Sequence, residues 1–311
     1  MNFIDQERLE KSPYVQLLTL GLYAIAGIIL ASLASVLSLY FWYGEMFNAD
    51  WLNPDHPKNL VTMRIFIGMQ QIGLFLLPAL VLAWGEKQRV PEFYGFKKVK
   101  VELMLLVILM MVFSMPILEW VTMVNMKMVL PGFLKPVEEW MRAQEDKNTE
   151  TMVNLLKINH IGDYLISILL IAILPAIAEE MIFRGAIQRS LGRMFKNPHF
   201  VIWFTAFIFS AIHIQFYGFL PRLLLGAAFG YIYFWTQSLW YSMFAHFVNN
   251  AYAVTGAWYM QKNNIPLSEA NKTTNFQWYG VLISVILTFL VFKYFKNKSL
   301  KADGKQLDKS I

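Results

Sequence analysis

Residues 161–184 read IGDYLISILLIAILPAIAEEMIFR. Tyr164 to Ala178 is uncharged, and the stretch closes on Glu179, Glu180 and Arg184. A spanning helix needs roughly 20 mostly apolar residues, because lipid offers the backbone no hydrogen-bond partner. This stretch is long enough. Comparable stretches lie at 14–43, 61–84, 101–118, 199–217, 219–236, 239–257 and 276–296. Together they predict an all-α membrane protein of about eight transmembrane helices.

Composition agrees. Of 311 residues, 57% are hydrophobic and only 15% charged, and the mean hydropathy is +0.43. Soluble domains carry nearer a quarter charged residues. The absence of cysteine excludes disulfides, thiolate catalysis and Cys-ligated metal sites. A net charge of +6 invites a nucleic-acid reading, but the basic residues sit in short loops and the tail. That distribution reports topology and contact with the lipid bilayer, so no nucleic-acid partner is expected.

Lys and Arg in the short loops set the orientation. One side receives Arg8, Lys11, Lys87, Arg89, Lys97, Lys98, Lys100, Arg189, Arg193 and Lys196, and the tail adds Lys293, Lys296, Lys298, Lys301, Lys305 and Lys309. The other side has Lys58, Arg222, Lys262 and Lys272. Both termini are therefore expected to be cytoplasmic, which suits an even number of spans. The organisation reads as a cytoplasmic N-terminus (1–13), N-terminal spans (14–118), an outer-face amphipathic loop (119–160), a core (161–257), a loop with the last span (258–296) and a Lys-rich tail (297–311). The first span exceeds a signal-peptide core and reads as a retained anchor. Within 119–160, Pro131-Gly132 and Pro136 break the pattern into one or two short interfacial helices ending in the polar run 144–150. The tail after Tyr294 reads as disordered.

Charge at membrane depth is costly, so polar residues inside apolar runs are informative. Glu180 and Arg184 are four apart and share a helix face, whereas Glu179 points about 100° away. His213 lies inside span five. His246 and Asn250 share a face of span seven, with Asn249 partly on it. Each cluster also has a plainer reading: headgroup-level carboxylates, a hydrogen-bonded core histidine, interhelical polar contacts. Jointly they suggest chemistry. A carboxylate takes a proton from water, a histidine holds that water, and a second histidine with an asparagine receives an oxyanion.

The three motifs resemble the CPBP family of intramembrane proteases, which includes CAAX-processing enzymes and relatives linked to bacteriocin immunity. The pattern Glu-Glu-x-x-x-Arg, Phe-x-x-x-His, His-x-x-x-Asn reads here as Glu179 to Arg184, Phe209 to His213 and His246 to Asn250. The resemblance implies an endopeptidase acting on a membrane-associated peptide or protein. Glu179 would be the general base, His213 would position water, His246 and Asn250 would form the oxyanion hole, and Glu180 and Arg184 would support them. It implies no cofactor, although Glu179, His213 and His246 could ligate zinc, and the sequence does not decide between the two. A non-catalytic scaffold or immunity protein of the same family is the alternative, with a proton-coupled carrier third. The expected location is a bacterial inner membrane.

Two further features bear on packing. Gly226 and Gly230 form a Gly-x-x-x-Gly pair, and Pro175 lies one turn before Glu179, where it can kink the helix. Depth poses a difficulty. Span four was bounded at 184, near the cytoplasmic face, whereas His213 counts about 20 Å into span five. The reading that reconciles them has span five starting outside the bilayer.

Overall fold

The computed structural model describes residues 10–267 and 277–302. Arg8, Lys272, Lys305 and Lys309 lie outside the described residues. Nine helices of fourteen or more residues build the described residues, and no strand occurs among them. They are α1 (Pro13–Tyr43), α2 (Asn59–Gly85), α3 (Val101–Met126), α4 (Lys135–Leu155), α5 (Ile161–Met194), α6 (Pro198–Ala211), α7 (Phe219–Thr236), α8 (Leu239–Lys262) and α9 (Trp278–Ala302). Five of them, α1, α2, α3, α5 and α9, are long and apolar enough to cross a membrane.

Local sequence explains the boundaries. Ser12 caps α1 by accepting from the Val15 amide, and Pro13 follows it. Gly44 ends the helix with φ of 71°, a conformation glycine adopts without a Cβ clash. α2 and α5 share a second device. Each contains a wide π turn, at Gln71–Leu76 and Ile168–Ile173, just ahead of Pro78 and Pro175. Proline has no N–H and crowds the carbonyl four residues back, so the preceding turn opens to i→i−5 bonding. Leu77 accordingly donates to Ile72, and Leu174 to Leu169.

α5 is the central helix. Half of its most apolar stretch is buried inside the protein, against 11–28% for the other four long apolar helices. Its Met181, Ile182, Phe183 and Ala186 pack in one cluster with Phe93, Tyr94, Phe209, Tyr233 and Met243. α1 crosses α2 at Gly27 and Gly73, where backbone meets backbone and a Cβ on either would strike the other's carbonyl. The rest of α1 exposes Leu18, Leu22, Ile25, Ile29, Leu33 and Leu37, a surface suited to lipid.

One end of the bundle gathers several chain segments. Glu10 is buried between Arg189 and Arg193 at the end of α5, the latter at 3.2 Å. The Lys100 amide at the start of α3 donates to the Tyr241 hydroxyl at the start of α8, 2.8 Å away. Lys298 near the end of α9 pairs with Glu102 at 2.7 Å.

Several boundaries differ from the sequence reading. α3 runs to Met126 rather than 118, because 117–124 stays mostly apolar and Pro116 is tolerated inside the helix. Residues 119–160 hold one 21-residue helix, α4, rather than one or two short ones. Pro136 sits in its first turn, where a missing N–H costs nothing. The polar run 144–150 continues the helix, supported by Glu138–Arg142 (2.7 Å) and Gln144–Asn148 (3.2 Å) pairs. Arg142 and the Leu130 amide hold the Glu138 carboxyl below its ordinary range. α9 stays helical to Ala302 instead of fraying after Tyr294, because Phe295 is fully buried against Trp235 and Tyr241. Span five is not one helix over 199–217: α6 stops at Ala211 after 14 residues, and Ile214 turns the chain with φ of 52°.

Candidate active site

Four of the six residues singled out in the sequence converge on the inner face of α5. Glu180 and Arg184 are fully buried and paired at 2.6 Å. The Arg184 guanidinium also donates to the Gly226 carbonyl at 2.7 Å and lies over the Phe209 and Phe229 rings. His246 joins from α8, its Nδ1 at 3.0 Å from Glu180 Oε1. A carboxylate accepts, so Nδ1 carries the proton. Nε2 then faces Glu179 Oε2 across 4.0 Å. That is too long for a hydrogen bond and suits two groups sharing one water. Phe229 stacks on the His246 ring at 5.3 Å, and Phe209 meets it edge-on at 5.9 Å.

Glu179 is buried as well, and its other oxygen accepts from Gln71 Nε2 of α2 at 3.0 Å. Gln71 opens the π turn of α2, so the proline-induced widening sets the helix segment that reaches the carboxylate. Gln71 lies far outside the 161–257 segment that carries the three motifs, so none of them points to it. The Gln70-Gln71 pair within an apolar run was the available signal.

His213 takes a place different from the one expected. It lies in the turn after α6, not within a helix, and its Nδ1 donates to the Phe209 carbonyl at 2.7 Å. This satisfies one of the carbonyls that a helix C-terminus leaves open, and it leaves Nε2 as an acceptor. The Phe209 ring lies between the two histidines, 5.2 Å from His213 and 5.9 Å from His246. No hydrogen bond or ion pair joins His213 to Glu179 among the described residues. Arg222, in the first turn of α7, lies within electrostatic range of both. The sequence reading had counted it only as a loop charge.

Asn250 is one turn beyond His246. Its Nδ2 donates to the Ile171 carbonyl at 3.0 Å, and its Oδ1 accepts from Asn249. Ile171 is the residue whose helical partner would be Pro175, which has no N–H to give. Proline and asparagine are thus coupled across two helices. Gly226 and Gly230 are likewise coupled to α5: Arg184 and Gln188, four apart, reach their carbonyls at 2.7 and 3.0 Å. A Cβ at Gly230 would crowd Gln188 and Ile202, and one at Gly226 would crowd Phe209 and Ala206 of α6.

The depth difficulty resolves through α5. This helix continues to Met194, ten residues past the expected end at 184. Counted from the Met194–Pro198 turn, Glu179 lies about 22 Å in and the end of α6 about 21 Å in. The two motifs therefore sit at one level. Among the described residues no three His, Asp or Glu side chains are grouped so as to hold a metal ion.

Fold and site together define a helical membrane protein whose central helix carries a buried carboxylate–histidine centre. Residues 161–252 match the family described as type II CAAX prenyl endopeptidase Rce1-like, so this segment is similar to the CPBP group that the motifs resemble. The chain is also 32% identical over 88 residues to the uncharacterized protein YpbD of Bacillus subtilis, which covers 27% of this chain. It spans 42% of the length of that curated relative. No solved structure matches.

Proposed function

We propose that the protein is an intramembrane endopeptidase in which Glu179 is the general base. The observation that carries this is the division between the two carboxylates. Glu180 is bound by Arg184 and His246, whereas Glu179 faces His246 Nε2 across the span of a shared water. In the reaction, that water gives a proton to Glu179 as its oxygen attacks the peptide carbonyl carbon. The tetrahedral oxyanion is received by His246 and Asn250. Collapse breaks the C–N bond, and the proton on Glu179 passes to the leaving amine. His213, with Nε2 free to accept, orients the water.

His246 must donate from Nε2 to serve the oxyanion. The reaction needs no cofactor in this scheme. The zinc alternative would require Glu179, His213 and His246 to close on one ion.

The substrate is a membrane-associated peptide or protein. All eight helices other than α4 cross the bilayer, with both termini cytoplasmic, in a bacterial plasma membrane. In support, Glu10, Lys100 and Lys298 make their contacts at one end of the bundle, near Arg189 and Arg193. One observation favours a second reading, a non-catalytic scaffold or immunity protein: the Asn250 amide is already engaged by Ile171 and Asn249.

Comparative proteomics of cells carrying the wild type or Glu179→Gln separates the two. The peptidase predicts membrane-proximal cleavage products that vanish in the variant and persist under chelation. A scaffold predicts identical peptide inventories.

A further inference from the structure

On the opposite side of α7 from the catalytic cluster, a cavity of about 600 Å³ opens between α7 and α9, with α3 and the start of α6 at its edges. Its walls are apolar, led by Trp235, Phe289 and Phe292, and its volume falls in the range of small-molecule sites. Lys293 and Lys296 stand at one end. Neither ammonium group has an ion-pair or hydrogen-bond partner among the described residues, whereas that of nearby Lys298 is engaged by Glu102. Beside them, His199 and Tyr231 are linked ring to hydroxyl at 2.7 Å.

The groove thus has an amphipathic layout along α9. From Val285 in the apolar part to Lys293 and Lys296 is roughly 12–16 Å at 1.5 Å per residue. Two unpaired ammonium groups mark the polar end, at the C-terminal end of an outward-facing membrane helix. A chain of this kind is surrounded by amphiphiles whose own polar groups lie at that level. The charge complement of two free lysines is an anion. The length of apolar groove below them excludes a bare ion as the natural occupant.

We propose that this groove binds one anionic glycerophospholipid, its phosphate between Lys293 and Lys296 and an acyl chain along Trp235, Phe289 and Phe292. The site is separate from Glu179 and His246 and does not depend on the peptidase reading.

The test uses the full-length protein purified in a neutral detergent. Native mass spectrometry and thermal melting are recorded while phosphatidylglycerol, phosphatidylcholine or glycerol phosphate is added. The wild type should retain phosphatidylglycerol in preference to zwitterionic phosphatidylcholine by roughly 30-fold, as two lysines facing a net negative headgroup imply, with a matching rise in melting temperature. Lys293→Gln/Lys296→Gln should bind the two lipids alike while melting as the wild type does in detergent alone. Lys293→Arg/Lys296→Arg should restore the preference, which a merely misfolded glutamine variant would not explain. Equal binding of both lipids by the wild type overturns the proposal, as does an undiminished preference in the glutamine variant. A stabilisation by glycerol phosphate equal to that by the lipid overturns it in favour of a simple anion site.

Discussion

Glu179 and Glu180 are adjacent, and a helix turns them about 100° apart. That turn separates two environments: an arginine and a histidine on one side, Gln71 and the far nitrogen of His246 on the other. Gln71 holds the Glu179 carboxyl in position through a single charged hydrogen bond, typically worth ~1.5–3 kcal/mol. Gln71→Leu should therefore lower the cleavage rate by roughly 10- to 100-fold and, by leaving a buried carboxylate oxygen without its donor, lower the melting temperature by several degrees. Rate and melting measured on the same preparation check this. Phe209 explains the spacing of its motif. Its carbonyl fixes the His213 tautomer four residues on, and its ring touches both histidines and Arg184.

Between elements, the site depends on defects in regular helix. Pro175 widens the turn before Glu179 and leaves the Ile171 carbonyl to Asn250. Pro175→Ala restores an N–H able to take that carbonyl, so it should keep or raise thermal stability and lower cleavage. The glycine pair on α7 works in the other direction. A Cβ at Gly230 would lie 2.9 Å from Gln188 Oε1 and from Ile202 Cγ2. Gly230→Ala should cost ~1–3 kcal/mol by overpacking, read from chemical denaturation. The Gly-x-x-x-Gly spacing was visible in the sequence as a close-approach motif. Its hydrogen bonds to Arg184 and Gln188 were not, because they depend on which helix lies opposite.

For the whole molecule, apolar run length located the five helices long and apolar enough to cross a membrane, since about 20 predominantly apolar residues leave a backbone few alternatives. Three motifs in order located Glu179, Glu180, Arg184 and His246 in one cluster. Two kinds of feature escaped. Helix ends governed by tertiary burial, as at Met194 and Ala302, cannot be seen in hydropathy alone. Partners from distant segments, Gln71 above all, carry no local signature. The eight-crossing arrangement has a direct check, because the chain has no native cysteine. Glu92→Cys and Lys147→Cys, both exposed, should react with an impermeant thiol reagent from opposite faces of sealed vesicles. Labelling from the same face would refute that topology.

The central claim is that adjacent carboxylates do different work, and a paired substitution measures it. Glu179→Gln should keep the wild-type melting temperature within a few degrees and lose cleavage by about 100-fold or more. Glu180→Gln leaves Arg184 without its full counter-charge and should lower stability by ~3–5 kcal/mol. Full cleavage by Glu179→Gln, or an unaltered melting curve in Glu180→Gln, would contradict the account.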